Sequence, residues 1–112
     1  HQAGNQAIAA VASAIQRAIR SSDRAARAGG DEFAIFLPEA TPEVAATVAQ
    51  RIRNHVYRSL FPVGERLQRM TVSVGTATWP RDGSHADDVL SAAKLRSRQD
   101  RELRQAGEPV AE

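Results

Sequence analysis

Cysteine is absent from this chain of 112 residues, which excludes disulfides, thiolate nucleophiles and cysteine-based zinc sites. The three histidines, His1, His55 and His85, fall at no spacing that would let them share one ion. Aromatic residues make up 4% of the chain, too few to stack bases on a sheet, and this argues against a nucleic-acid module. No run approaches the roughly 20 apolar residues that span a bilayer. No basic-then-apolar leader opens the chain either, so the expectation is a cytoplasmic protein without direct membrane insertion. The first residue is His1 rather than Met, which suggests a piece of something longer.

What is present fits one globular domain: 42% hydrophobic and 25% charged residues, in a length too short for two independent cores. Lysine and arginine total 15 against 13 acids, a net charge of only +2, and Lys94 is the sole lysine. Arginine favours bidentate contact with phosphate or carboxylate, so this bias is compatible with a nucleotide ligand, although genome composition produces it too.

Apolar spacing predicts a first helix carrying Ile8, Val11, Ala12, Ile15 and Ile19, with Asn5 as its cap and an end near Arg20. Gly29-Gly30-Asp31-Glu32 reads as a tight turn between two strands, the second being Phe33 to Leu37. Thr41-Pro42-Glu43 starts a second helix, running to about Tyr57 with Val44, Ala45, Val48, Ala49, Ile52 and Val56 buried. Met70 to Thr78 reads as a strand, and Ser84 as the cap of a third helix whose stripe is Leu90, Ala93 and Leu103. Arg96 to Gln105 is so polar that this half of the helix is expected to be mostly solvated, followed by a tail over 107–112. The order of elements is that of an α/β (α+β) fold of the split-βαβ, ferredoxin-like type.

One compact cluster has catalytic character. Two glycines, Gly29 and Gly30, remove Cβ bulk where a phosphate chain would approach backbone amides. The adjacent carboxylates, Asp31 and Glu32, suit Mg²⁺, which binds nucleotides through one or two carboxylates and phosphate oxygens. A solvated Gly-Gly turn is the plainer alternative.

Arg27-Ala28-Gly29-Gly30-Asp31-Glu32-Phe33, followed by Ala34-Ile35-Phe36-Leu37-Pro38, resembles the signature of the GGDEF family, the diguanylate cyclases that condense two GTP into cyclic di-GMP. His1-Gln2-Ala3-Gly4-Asn5 is similar to the family's G-H-x-x-G-D segment, Ala49 to Arg53 to its A-E-R-I-R helix, and Thr71 to Gly75 to its T-V-S-I-G strand. The resemblance makes 1–106 a partial GGDEF domain. It implies Asp31 as the metal-binding and catalytic carboxylate with Glu32 beside it, Gly29 and Gly30 against the phosphates, Mg²⁺ or Mn²⁺ as cofactor, and a homodimer for catalysis. An upstream sensor domain is implied as well.

The family's opening strand, with its D-x-D-x-F motif and second metal-binding Asp, would precede His1. The resemblance therefore implies a sheet lacking its first strand, with a gap between hairpin and last strand, and a chain inactive alone. Asn5 stands where the family has an Asp reading guanine; an amide there sets a donor against a donor, at a cost of about 1–3 kcal/mol. The family's last helix has phosphate-touching Lys and Arg, for which Lys94, Arg98 or Arg101 could substitute, unless this is a solvated basic face. Arg20-Ser21-Ser22-Asp23 lies in the register of the family's inhibitory site for cyclic di-GMP, with Arg51 assisting. These features also imply the alternative of a catalytically degenerate receptor for cyclic di-GMP.

Overall fold

The structure, a computed structural model, describes residues 2–107, with side chains from Gln6 onward. Helix α1 (Gln2–Ala18) leads into a hairpin of β1 (Arg24–Arg27) and β2 (Glu32–Phe36), then helix α2 (Pro42–Arg58). A second, short hairpin of β3 (Phe61–Val63) and β4 (Arg66–Gln68) precedes β5 (Ser73–Ala77) and helix α3 (Ala86–Gly107).

Helix α1 buries Ala7, Val11, Ala14 and Ile15, the spacing that turns one stripe toward a core. Asn5 lies inside α1 rather than at its cap, and its side chain is outside those described. Thr41 caps α2 as expected, its hydroxyl accepting from the Val44 N–H at 3.2 Å, with Pro42 at the first helical position. Ala45, Val48, Ala49, Ile52 and Val56 are buried. Val44, expected among them, is 46% exposed: about 100° of helical rotation carries it from Ala45 off the covered stripe.

The sheet has the order β1-β2-β5. The hairpin β1–β2 is antiparallel, with Arg24 opposite Phe36 and Arg27 opposite Phe33. The expected gap beyond it is not there: β2 pairs directly and in parallel with β5, from Glu32 opposite Ser73 to Phe36 opposite Ala77. Two strands running the same way on either side of a missing neighbour can join in one parallel ladder, and doing so satisfies backbone groups that a gap would orphan. Along β2 the side chains alternate between two covered faces. Phe33, Ile35 and Leu37 join Val11, Ile15, Ile52 and Val56 in the larger core, on the side of α1 and α2. Ala34 joins Ala77, Val89 and Ala93 on the side of α3.

Helix α3 begins at Ala86, so Ser84 is not its cap; the Ser84 carbonyl instead accepts from Trp79 Nε1 at 3.2 Å. Its second half is mostly exposed, as its polarity predicts, with Ser97, Asp100 and Arg104 as the exceptions. Ser97 is fully buried against β5, because Gly75 has no side chain: a Cβ there would strike the Ser97 amide nitrogen and the Ala93 carbonyl oxygen. Leu103, expected in the buried stripe, is 73% exposed.

Alternation along β5 directs the Val74 N–H and Thr76 C=O to the edge away from β2, since Ser73 N and Ala77 O bond to the β2 side. Side chains of α3 take both: Asp100 Oδ2 accepts from Val74 N at 2.9 Å, and Arg96 donates to Thr76 O at 2.9 Å. Arg53 of α2 reaches the same Asp100 oxygen at 3.3 Å, clasping the two helices round the edge. An open sheet edge is thereby closed to further pairing.

Candidate nucleotide and metal site

The hairpin turn places Gly29 to Glu32 at the end of the sheet beside the start of β5. Ala28 N and Gly29 N both donate to Glu32 O, at 2.7 and 3.3 Å, and Ser73 N donates to Asp31 O at 2.9 Å. Arg27 Nε holds the outside of the turn through Gly29 O and Gly30 O, at 2.9 and 3.1 Å. Gly29 must lack a side chain because the Glu32 carboxylate lies where its Cβ would be. Gly30 has open space around it.

The two carboxylates differ in environment. Asp31 is about one-third exposed, whereas the Glu32 side chain is only 3% exposed. Glu32 Oε1 is buried and has no hydrogen-bond partner. A buried, unpartnered carboxylate oxygen is costly and calls for a cation.

The nearest cations come from α3. Arg101 Nε is 3.7 Å from Asp31 Oδ1, and its Nη1 is 3.8 Å from Glu32 Oε1. Arg104 is held more closely, donating to Asp31 Oδ2 at 2.9 Å, to Ser73 Oγ at 2.7 Å and to Thr71 Oγ1 at 3.0 Å. Of the three α3 cations expected from sequence to serve this site, Arg101 reaches it, while Lys94 and Arg98 are exposed elsewhere. Arg104 was not among them. The readable signal is the spacing of Ala93, Ser97, Arg101 and Arg104, which puts small buried residues and two arginines along one helix face.

Asp31 and Glu32 fit a divalent ion of the Mg²⁺ type, on the ground of the orphaned Glu32 oxygen. Among the described residues no group of three or more His, Asp or Glu could hold a metal by itself. Such an ion would therefore share these carboxylates with phosphate oxygens or water, as Mg²⁺ does.

A second constellation lies at the far end of α1. Arg17, Arg20, Arg51 and His55 line one cleft of about 480 Å³, so Arg20 and Arg51 are brought together as expected. Asp23 does not line it: it is 4% exposed and turned inward, Oδ2 accepting from Arg20 N at 2.9 Å and Oδ1 from the Arg20 guanidinium at 3.4 Å. Arg17 and Arg51 have no ion-pair partner among the described residues, which leaves the cleft cationic.

At the opposite end of β5, Asp82 accepts from Arg96 at 2.8 Å and from Thr78 N at 2.9 Å. The hydrogen bond from Arg96 is the main cause that holds the Asp82 carboxyl below its ordinary pKa. This pair fastens α3 to the sheet.

The family model for the GGDEF domain of diguanylate cyclases matches residues 1–106. A probable diguanylate cyclase of Escherichia coli, DgcJ, is 48% identical over 56 residues, covering 50% of this chain and 11% of that protein. Diguanylate cyclase A of Treponema denticola is 33% identical over 94 residues, covering 83% of this chain and 25% of that protein. The chain thus spans about a quarter or less of these relatives. A crystal structure of a sensory box/GGDEF family protein from Caulobacter crescentus superimposes with a TM-score of 0.71 at 29% identity, covering 92% of this chain and 67% of that one. The intact Gly29 to Phe33 turn, the α+β architecture around it and these matches together place the chain in the GGDEF family of diguanylate cyclase domains.

Proposed function

We propose that this domain binds GTP with a divalent ion at the Gly29–Glu32 turn and contributes one half-site to the condensation of two GTP into cyclic di-GMP. The observation that carries this reading is Glu32 Oε1, buried without a hydrogen-bond partner beside Asp31, with Arg101 3.8 Å from it and Arg104 on Asp31.

The open side of Gly30 leaves room for a triphosphate over the turn. Asp31 and Glu32 would hold Mg²⁺ or Mn²⁺, which would supply charge neutralisation for the phosphates and the leaving pyrophosphate. Arg101 and Arg104 lie close enough to add positive charge at the same oxygens, and a guanidinium fork suits them. Asp31 has its backbone pinned by Ser73 N and is thereby oriented. The 3′-hydroxyl nucleophile belongs to a second GTP carried by a facing copy, so the active unit is a homodimer. With its signature intact but a single carboxylate pair at the site among the described residues, the 112-residue chain alone is inactive under this reading.

Calorimetric titration of GTP into the chain with and without Mg²⁺ tests the site. Mg²⁺-dependent binding that Asp31→Ala removes is the expected result; binding indifferent to both would sink it.

A second reading is favoured by the cationic cleft of Arg17, Arg20, Arg51 and His55. It has the size and charge for a cyclic dinucleotide, and a domain using it without turnover is a cyclic di-GMP receptor.

A further inference from the structure

We infer that the last two turns of α3 act as a latch that competes with the divalent ion for Asp31, so that the latched and metal-bound states exclude each other. The inference rests on the reading of Asp31 as a metal-holding carboxylate. It goes beyond that reading in giving α3 a second position.

Asp31 is the only strong acceptor in the described surroundings of Arg104 that carries charge; Ser73 and Thr71 supply neutral hydroxyls. Arg104 takes Asp31 Oδ2 and Arg101 faces Oδ1, so both oxygens of the carboxylate are confronted by guanidinium groups. A divalent ion binding Asp31 brings two further positive charges to the same oxygens. The ion and a guanidinium cannot share these lone pairs at contact distance without like-charge repulsion. The ion therefore displaces Arg104 or is kept out by it.

The helix is built for such a release. Upstream of Arg101 it is fastened by Ser97 over Gly75, by Asp100 on Val74 N and Arg53, and by Arg96 on Asp82 and Thr76. Beyond Asp100, among the described residues, the polar side-chain ties are the ion pairs to Asp31 and Glu32 and the hydroxyl bonds of Arg104, and Leu103 is exposed to solvent. Losing Asp31 thus leaves the end of the helix held by neutral hydroxyls and the longer Arg101–Glu32 pair, while its first half stays docked. Released, the two arginines are positioned to meet phosphate oxygens in place of the carboxylate.

Two measurements on the 112-residue chain test this. Mn²⁺ binding is followed by electron paramagnetic resonance for the wild type, Arg104→Gln and Asp31→Asn. Amide hydrogen exchange over residues 101–107 is followed for the wild type with and without saturating Mg²⁺. The latch requires Arg104→Gln to bind Mn²⁺ about fivefold more tightly, the scale of one partly exposed ion pair. It also requires Mg²⁺ to speed exchange over 101–107 while leaving 89–97 protected. Mn²⁺ binding that depends on Asp31 but is unchanged or weaker in Arg104→Gln, with exchange unmoved by Mg²⁺, overturns the latch and leaves the metal site standing. Mn²⁺ binding indifferent to Asp31→Asn overturns both.

Discussion

Ser97 of α3 lies directly on Gly75 of β5, its amide nitrogen standing where a Cβ at Gly75 would be. The neighbouring obstacle is the Ala93 carbonyl oxygen, so neither contact is with a flexible side-chain end. Gly75→Ala forces the helix off the sheet. The expected cost is about 1–3 kcal/mol, the range for overpacking a fitted core, read as a lower urea midpoint. Because Arg104 rides on the same helix, this variant also loosens its contact with Asp31, and exchange over 101–107 should rise.

That packing leaves little trace in the sequence. The helices with dense apolar stripes, α1 and α2, and the cap at Thr41 follow from spacing and dipole logic alone, and the Gly29–Glu32 turn is legible as it stands. The docking surface of α3 is only partly legible because it is made of small residues, Ala93 and Ser97, which carry little hydrophobic signal and bury well where the partner is glycine. For Arg104, helical spacing gives the face but not the partners: Asp31, Ser73 and Thr71 lie far away in sequence. The short β3–β4 hairpin has strands of three residues, below what alternation can resolve. The direct pairing of β2 with β5 is a property of the whole sheet and has no local signature at all.

Asp100 serves as a clasp at the free edge of β5. Replacing it by alanine leaves the Val74 N–H and the Arg53 guanidinium without their shared acceptor, at a cost of about 1–3 kcal/mol. Asp100→Asn keeps one acceptor and should recover part of the loss in chemical denaturation. Equal destabilisation by both would show that the charge, not the edge hydrogen bond, matters.

Stability should fall in acid partly through Asp82. Its carboxyl pKa is depressed in the folded state, chiefly by the Arg96 hydrogen bond. The stabilisation is therefore fully present above the ordinary carboxyl value of about 3.9 and is lost as pH falls through the lower folded value. Asp82→Asn should lower stability at neutral pH and flatten the acid limb of the stability profile. An unchanged slope below about pH 4 would remove Asp82 from the account.

The cleft between α1 and α2 makes its own prediction. Arg20→Ala removes a guanidinium that serves both the cleft and Asp23, while Arg51→Ala touches the cleft without any described ion pair. Each should weaken cyclic di-GMP binding about tenfold or more, the scale of one charge-assisted phosphate contact. Calorimetry reads this directly. Affinity unchanged in Arg51→Ala would show that the cleft is not the binding place.

Cyclic di-GMP formation from GTP and Mg²⁺ by the protein bearing this domain, with Asp31→Ala beside it, tests the role of the Gly29–Glu32 turn. The wild type is expected to form product and the variant to lose at least about a hundredfold, as when a group that holds the charge-neutralising ion is removed. Product formed undiminished by Asp31→Ala would contradict the assignment of the Gly29–Glu32 turn as the catalytic site.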